Sequence, residues 1–215
     1  MEDVRKLILL GNGSVGKSSI VQRFTNDGFE RIYKQTVGLD FFEKTIQPRD
    51  NVSVKLQLWD IGGQSISSDM LDKYIYAANI ILLCYDVTDR NSFNDVQDWL
   101  RLARKHNNKA LIYLVGNKND LEHLRQVSKK QHKLFILENK LQGGFLGSAN
   151  ENDNIQNIFY NVAANARGIK LDKSQIPINV INIHLQDDPE QESGEDQRYE
   201  EHYKAKKSKK SCILM

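Results

Sequence analysis

The sequence predicts an α/β fold with six strands in a mostly parallel sheet, one antiparallel edge strand and about five helices on both faces. From residue 4 to residue 168, short apolar runs alternate with amphipathic stretches, which is the pattern of strands connected by helices. The run "NIILLCYDVT" is apolar almost throughout, as expected for a strand that helices cover on both faces. Two neighbouring strands meet around "PRDN", which predicts a hairpin and hence the antiparallel edge strand.

Each element is predicted from its own residues. Strands are expected over "RKLILL", "LDFFEKTIQ", "VSVKLQLWDI", "NIILLCYDVT", "ALIYLVGNK" and the short "GFLGSA". Apolar residues recur at helical spacing in "GKSSIVQRFTN", "SFNDVQDWLRLARKH", "SKKQHKLFILEN" and "NIQNIFYNVAANARG", so these stretches are predicted to be helices. We expect Ser92 to cap the second of these helices and Gly168 to close the last one.

Length and composition predict one domain, residues 1–168, followed by a C-terminal tail, residues 169–215. A chain of 215 residues of which 40% are hydrophobic can bury a core in such a domain. The first residues lack the pattern of a secretory signal, and no apolar run approaches the ~18 residues that span a bilayer. Cys84 lies in a predicted strand and Cys212 near the end, which indicates no disulfide framework and fits a reducing cytosol.

The stretch "GNGSVGKS" matches the G-x-x-x-x-G-K-[ST] pattern between a predicted strand and a predicted helix. The glycines Gly11, Gly13 and Gly16 let the backbone turn its N–H groups toward phosphate oxygens, and the helix adds its positive end. Lys17 offers a charge to the β- and γ-phosphates, and Ser18 offers a hydroxyl to Mg²⁺. The loop predicts a P-loop NTPase, but by itself it leaves open the base and the choice between kinase, motor and switch.

The stretch "NKND" follows the strand "LIYLVG", at the sheet edge where ligands bind in such folds. Asp120 can accept hydrogen bonds from the N1–H and N2–H₂ groups of guanine, a donor pair that adenine lacks. Lys118 can lie along the purine face, and Asn117 can connect this loop to the phosphate loop. Together with the phosphate loop, the motif favours guanine and disfavours an ATP-dependent kinase.

The stretch "DIGGQ" ends another predicted strand and carries the residue types that hydrolysis needs. Asp60 can hold a Mg²⁺-bound water, Gly63 can donate its N–H to the γ-phosphate, and Gln64 can orient the attacking water. Thr36, in the loop before the second strand, can bind Mg²⁺ when the γ-phosphate is present, which is the logic of a switch. Taken alone, Thr36 is better interpreted as an ordinary residue at the start of a strand.

These motifs, with "TVGLDF" and "SAN" in the same order and spacing, resemble a Ras-superfamily small GTPase of the Rab family and are most similar to its divergent Rab twenty-eight branch. The resemblance implies a GDP/GTP switch with slow intrinsic hydrolysis that recruits effectors in vesicle trafficking. Hydrolysis is thereby assigned to Gln64, Gly63, Lys17 and Thr36. Mg²⁺ is assigned to Ser18, Thr36 and, through water, Asp60. The residues implied to contact GTP or GDP are Gly11, Asn12, Gly13, Ser14, Val15, Gly16, Lys17, Ser18, Ser19, Phe29, Tyr33, Thr36, Gly63, Asn117, Lys118, Asp120, Leu121, Ser148, Ala149 and Asn150.

The resemblance also implies that Phe41, Trp59 and Tyr74 face effectors, although an ordinary place in the core is equally expected for these aromatic residues. It implies an exchange factor and an activating protein as partners, and Gly13 leaves room for an arginine from the latter. We expect a monomer, and no aromatic or arginine pattern predicts nucleic-acid binding. An alternative is a nucleotide-gated membrane scaffold without useful turnover, against which Gly13 and Gln64 argue.

The sequence departs from the Rab pattern at the site itself. "DIGGQ" replaces the usual "DTAGQ" and places Gly62 beside Gly63, so we expect this segment to be unusually disordered with GDP bound. "SISSDML" replaces the usual stretch after the glutamine, which predicts altered effectors and exchange factors. "SAN" replaces "SAK", and Asn150 is therefore expected to weaken nucleotide binding somewhat.

The tail carries an acidic block, a basic block and a C-terminal "CILM". Residues 187–201 hold eight acids and one arginine, and residues 204–210 hold five lysines; such blocks are typical of disordered interaction segments. "CILM" fits a C-a-a-X box and predicts farnesylation of Cys212, removal of the last three residues and methylation. The lysines are the second membrane signal that a single lipid requires. This predicts a prenyltransferase and a prenyl-binding chaperone as partners and a cytoplasmic, peripheral membrane protein; a solubilising tail with an accidental cysteine is the alternative.

Overall fold

The computed structural model describes residues 3–26, 36, 38–49, 51–63, 70–169 and 171. Six strands form one sheet in the order β2-β3-β1-β4-β5-β6. All neighbouring pairs are parallel except β2 and β3, which form an antiparallel hairpin. The predicted fold class is confirmed, including its one antiparallel edge strand. The strands are β1 (Asp3–Leu10), β2 (Leu39–Arg49), β3 (Val52–Ile61), β4 (Ile80–Asp86), β5 (Leu111–Asn117) and β6 (Gly143–Leu146).

Helices cover both faces of the sheet because alternate strand residues point to opposite sides. In β1, Leu7 and Leu9 belong to the core beneath one helix pair, whereas Ile8 and Leu10 belong to the core on the other face. The first face carries α1 (Lys17–Asn26) and α6 (Ile155–Ala166). The second face carries α2 (Leu71–Ile75), α3 (Arg90–Asn94), α4 (Val96–His106) and α5 (Lys129–Glu138).

The start of the helical stretch after β4 differs from the prediction. Ser92 is not the cap. The cap is Asp89, whose side chain accepts a hydrogen bond from the backbone N–H of Asn91 at 2.9 Å, and the helix begins at the next residue, Arg90. Ser92 is buried, accepts a hydrogen bond from the N–H of Asp86 at 3.0 Å and donates to the carbonyl of Asp89 at 2.8 Å. The serine therefore ties the end of β4 to the turn rather than capping a helix.

The end of α6 agrees with the prediction. Gly168 has a φ of +69°, in the left-handed region that glycine adopts at low cost. The N–H of Ile169 donates to the carbonyl of Ala164 at 2.9 Å, which completes the closing turn. No helix in the described part of the chain is long and apolar enough to cross a bilayer.

A buried polar pair joins α5 to the sheet. The hydroxyl of Tyr85 and Nδ1 of His132 lie 3.0 Å apart, and both side chains are fully buried. Nε2 of His132 has no hydrogen-bond partner among the described residues. Burial lowers the pKa of His132 to about 3, so the imidazole is neutral in the folded chain near neutral pH.

Acidification is expected to destabilise the fold through His132. The unfolded histidine has a pKa of ~6.5, so between this value and the folded value the unfolded state binds a proton that the folded state does not. Stability therefore falls as the pH falls, by about 2 kcal/mol from about pH 7 to about pH 5. Urea unfolding at both pH values should show this extra loss in the wild type but not in the Tyr85→Phe/His132→Leu variant. Equal losses would contradict the assignment.

Candidate nucleotide-binding site

Most of the predicted site residues lie at one edge of the sheet. The phosphate loop follows β1, the "DIGG" segment contains the end of β3, "NKND" contains the end of β5, and "SAN" follows β6. These strands are parallel to one another, so their carboxyl ends meet at the same edge. Phe29, Tyr33, Gln64 and Cys212 are outside the described residues.

The phosphate loop wraps around the side chain of Lys17. Nζ of Lys17 donates to the carbonyl oxygens of Gly11 and Asn12, at 2.7 and 2.8 Å. Burial lowers the pKa of Lys17, while Cys84 and Asp60 act in the opposite direction. Because carbonyl oxygens are weaker partners for an ammonium than phosphate oxygens, this arrangement leaves the charge ready for an anion in the loop.

Two positions of the loop require glycine. Gly11 has a φ of +145°, and a Cβ atom there would lie 2.2 Å from the carbonyl oxygen of Cys84. Gly16 has a φ of +92°, and its Cβ would lie 2.2 Å from Nδ2 of Asn117. Ser14 also has a positive φ, of 63°. The backbone of the loop is thus bent in a way that brings it against β4 on one side and against "NKND" on the other.

The three residues assigned to Mg²⁺, directly or through water, lie together. The hydroxyl oxygens of Ser18 and Thr36 are 2.8 Å apart, and the hydroxyl of Ser18 donates to Oδ2 of Asp60 at 2.5 Å. Asp60 is fully buried, and its Oδ1 has no hydrogen-bond partner among the described residues. Burial raises the pKa of Asp60, and the hydrogen bond from Ser18 acts in the opposite direction and lowers it. A buried, incompletely partnered carboxylate beside two hydroxyls is a donor set that fits Mg²⁺.

The "DIGG" segment packs against both the phosphate loop and the segment of Thr36. A Cβ atom at Gly63 would lie 2.2 Å from the backbone nitrogen of Gly13. The N–H of Gly62 donates to the carbonyl of Gly38 at 3.0 Å, and a Cβ at Gly62 would lie 2.5 Å from the carbonyl oxygen of Thr36. Gly62, the glycine that departs from the Rab pattern, is thus needed for the close approach of this segment to the Thr36 segment. The expected disorder with GDP stays a prediction, since residues 64–69 are outside the described part.

Asn117 joins the phosphate loop to the "SAN" loop. Its side chain is buried, its Nδ2 donates to the carbonyl of Val15 at 2.9 Å, and its Oδ1 accepts from the N–H of Ala149 at 3.1 Å. Ser148, also buried, closes the same loop by accepting a hydrogen bond from the N–H of Glu151 at 3.1 Å. One amide therefore satisfies two backbone groups that are 134 positions apart in the chain.

Asp120 has hydrogen-bonding capacity left over for a ligand. Its Oδ1 is buried without a partner among the described residues, and its Oδ2 accepts only a long hydrogen bond of 3.3 Å from Nδ2 of Asn150. Lys118 has a φ of +65°, and its Nζ forms an ion pair of 2.5 Å with Oδ2 of Asp86 at the end of β4. The N–H of Leu121 donates to the carbonyl of Lys118 at 3.0 Å and closes the turn.

Two contacts at the site are not marked by any motif. Arg23 of α1 donates from Nε to the carbonyl of Ala149 at 2.8 Å and from Nη2 to that of Asn150 at 3.0 Å, and thereby holds the "SAN" loop against the helix that also carries Lys17 and Ser18. Asn12 accepts a hydrogen bond from Nε1 of Trp99 at 2.9 Å. Short-range patterns miss both, because each bond joins segments far apart in sequence. Ser19 lies next to Ser18 in the first turn of α1.

The aromatic residues Phe41, Trp59 and Tyr74 form one cluster on the surface. The ring centroids of Phe41 and Trp59 are 5.7 Å apart, and those of Trp59 and Tyr74 are 6.0 Å apart. Phe41 is 48% exposed, and Nζ of Lys6 lies 3.8 Å from the Trp59 ring centroid. The expectation of an ordinary place in the core is therefore wrong for Phe41. Because Phe41 is exposed, a partner can contact the cluster from the solvent side.

The sheet edge joins a glycine-rich loop around a lysine to a cluster of oxygen donors and to an under-partnered carboxylate, and this combination defines a P-loop nucleotide-binding protein. The sequence profile of the Ras family matches residues 6–168. Ras-related protein Rab-28 of Caenorhabditis elegans is 38% identical over 183 residues, which cover 83% of this chain and 73% of that protein. Ras-related protein SEC4 of Candida albicans is 42% identical over 163 residues, which cover 75% of this chain and 76% of that protein. The chain belongs to the Ras family and is a small GTPase of the Rab type, hence a GTP hydrolase.

Proposed function

We propose that this chain is a GDP/GTP switch with slow intrinsic hydrolysis whose GTP form recruits effectors to a membrane in vesicle trafficking. The observation that carries the proposal is the contact of Gly62 and Gly63 with both the Thr36 segment and the phosphate loop. Two segments that meet where a terminal phosphate would bind can be held together by that phosphate and released after its loss. The exposed cluster of Phe41, Trp59 and Tyr74 lies next to these two segments. Effectors that bind the cluster can therefore distinguish the GTP form from the GDP form.

Different described residues bind different parts of the nucleotide and the metal ion. Lys17 and the N–H groups of the phosphate loop hold the phosphates, and Asp120 selects guanine by accepting from its two donors. Asn117 and Arg23 position the base loop relative to α1. Ser18 and Thr36 would hold Mg²⁺, and Asp60 would bind it through water. When bound, Mg²⁺ neutralises charge on the phosphate oxygens.

Gln64 orients the water that attacks the γ-phosphate, and Gly63 donates its N–H to that phosphate. An activating protein supplies an arginine to the transition state, and Gly13 leaves room for its side chain. Without it we expect turnover to be slow, on the order of 10⁻⁴ s⁻¹. Members of the Rab family work with exchange factors, activating proteins and effectors in general, and the replacement of the usual residues after Gln64 by "SISSDML" makes this chain selective among them.

Single-turnover release of phosphate separates the switch from a scaffold without turnover. The wild-type chain loaded with GTP and Mg²⁺ is expected to release phosphate, and Gln64→Leu is expected to slow the release at least about tenfold because the water is no longer oriented. GDP affinity, the control, should change little. Equal and negligible release from both proteins would favour the scaffold and overturn the proposed turnover.

Residues 1–168 form the nucleotide domain in this proposal, and residues 169–215 form a tail with a lipid anchor. Support comes from "CILM" after five lysines in residues 204–210, since one prenyl chain needs a second, basic signal for stable binding. A prenyltransferase joins the Cys212 sulfur to the farnesyl carbon with loss of diphosphate, and a prenyl-binding chaperone carries the product to a cytoplasmic leaflet.

Replacing Cys212 by serine is expected to abolish both lipid attachment and membrane binding, because serine is not a substrate for thioether formation. Incubation with a prenyltransferase and farnesyl diphosphate should add one farnesyl group to the wild type, as seen by mass spectrometry, and none to the variant. A Cys84→Ser variant, changed at a buried position, is the matched control and should be modified normally. Modification of Cys212→Ser would refute the assigned position.

A further inference from the structure

A second concave surface lies at the end of the sheet opposite to the candidate nucleotide site. It has a volume of about 580 Å³ and lies between residues 76–79, which precede β4, and residues 104–109, at the end of α4 and before β5. The walls thus lie at the amino ends of the strands, whereas the nucleotide site lies at their carboxyl ends. We call this surface the basal groove.

The basal groove is lined by basic side chains. Arg104, Lys105, His106 and Lys109 line it, and no aspartate or glutamate is among the described residues that do so. The arginine and both lysines are exposed to solvent. A concave surface with charges of one sign concentrates an oppositely charged partner, so the groove fits an anionic ligand.

The walls of the groove are held in place without a ligand. The side-chain amide of Asn107 donates to the carbonyls of Ile75 and Ala78 at 3.0 and 2.9 Å. Its Oδ1 accepts from the N–H groups of Lys109 and Ala110, each at 3.1 Å. One residue therefore fixes the two walls to each other, and binding does not have to order them first.

The chain leaves the domain at the same end. After α6, Nε of Arg167 pairs with Oδ2 of Asp3, the first residue of β1, at 3.1 Å. The N–H of Asn79 donates to the carbonyl of Lys6 in β1 at 2.9 Å, and the N–H of Leu111 donates to that of Asn79 at 3.0 Å. Neighbouring strands are ~4.8 Å apart, so the amino ends of β1 and β5 lie on the order of 10 Å from each other.

We propose that the acidic segment of this chain, residues 187–201, docks in the basal groove. The segment carries eight acids and one arginine, a net charge of −7. The 16 residues after Leu171 that bring the chain to Asp187 reach ~20–24 Å as a flexible linker and ~55 Å when extended. The segment is therefore present near the groove at an effective concentration in the ~mM range. Of the two anionic partners, a peptide segment fits a concave groove better than a flat bilayer does.

Docking places the five lysines of residues 204–210 close to the domain, since they follow the acidic segment directly. The groove and the tail lysines then compete for the same acids, and an anionic leaflet that attracts the lysines favours release of the segment. Beyond the proposed switch, docking would thus control when the tail is available to a membrane.

A spin label in the segment tests the contact in the full-length chain with GDP bound. The label is attached to Ser193→Cys in a Cys212→Ser background, where Cys84 is buried and stays unlabelled. Backbone amide signals of residues 76–79 and 104–109 are expected to be broadened selectively, and high salt should remove the broadening because the contact is ionic. Signals at the nucleotide edge serve as the internal control.

Charge reversal locates the contact. The Lys105→Glu/Lys109→Glu variant is expected to lose the broadening, and Lys130→Glu/Lys133→Glu, with the same charge change on α5, is expected to keep it. Replacing Glu190, Glu192 and Glu195 by glutamine should also abolish it while leaving the folded domain unchanged. Measurements of GDP binding and of phosphate release on the same proteins test the proposed switch independently of this docking contact.

Three results would overturn the proposal: no broadening at the groove, broadening that survives reversal of the groove charges, or equal loss with the α5 control. If the tail label leaves the groove unbroadened but the groove variant loses binding to phosphatidylserine vesicles, the groove is a surface for the anionic leaflet and the proposed docking is wrong.

Discussion

Replacing Asp120 by asparagine is expected to weaken the binding of GTP and GDP by about 10²–10⁴-fold, because two hydrogen bonds to a charged group are worth ~1.5–3 kcal/mol each. The carboxylate is suited to accept from guanine, since Oδ1 is buried without a partner among the described residues and Oδ2 accepts only from Asn150 at 3.3 Å. In the variant, an amide N–H₂ would face the N1–H and N2–H₂ donors of guanine, and two donors cannot satisfy each other.

The same substitution should change the preferred base rather than only damage the site. Xanthine carries a carbonyl where guanine carries N2–H₂, so an asparagine amide can donate to it. Titration of a fluorescent nucleotide with GDP, XDP and ADP as competitors measures both effects. Glu122→Gln is the matched control, since this nearby acid pairs with Arg125 at 2.7 Å, and it should leave GDP affinity almost unchanged. Unaltered guanine preference in Asp120→Asn would remove Asp120 from base recognition.

Replacing Asn117 by alanine is expected to lower the free energy of unfolding by about 2–6 kcal/mol, because two buried backbone groups would lose their partner at ~1–3 kcal/mol each. The groups are the carbonyl of Val15 and the N–H of Ala149, which no longer share one side chain. The phosphate loop and the base loop would then move independently. We expect GDP to dissociate much faster as well, since both halves of its site lose their common support.

Thermal unfolding with and without excess GDP and the rate of GDP release measure the two consequences. Asn119→Ala is the control, because Asn119 belongs to the same motif but its side chain accepts from Arg125 at 2.6 Å outside the phosphate loop. It should lose less stability and retain GDP nearly as well as the wild type. Equal effects of the two variants would show that Asn117 does not act through its bridge.

The fold and most of the binding motifs are readable from the sequence because their physical causes are local. A buried parallel strand is apolar along its whole length, and a loop that surrounds phosphates needs glycines, a lysine and a hydroxyl at short, regular spacing. The strands β1 to β6 follow the predicted runs to within a few residues, and the neighbouring motifs at their carboxyl ends meet as parallel pairing requires.

The sequence predicts less where a residue acts through a distant partner. Ser92 has the side chain of a helix cap, but Asp89 takes that role and Ser92 instead binds the end of β4. Nothing in the pattern of α1 distinguishes Arg23 from an ordinary surface arginine, since its partners, the carbonyls of Ala149 and Asn150, are more than a hundred residues away. The basal groove is not readable from the sequence for the same reason, since its two walls come from segments about 30 residues apart.

The sequence by itself determined the alternation of strands and helices, and it predicted the class of nucleotide and the residue types at its site, because each of these depends on neighbours within a few positions. Only the tertiary structure decided that Gly62 touches the Thr36 segment, that Asn117 joins two loops and that one end of the domain is basic. These contacts depend on which distant segments the sheet brings side by side, and hydrogen bonds and close packing act over a few ångströms in space, whatever the separation along the chain.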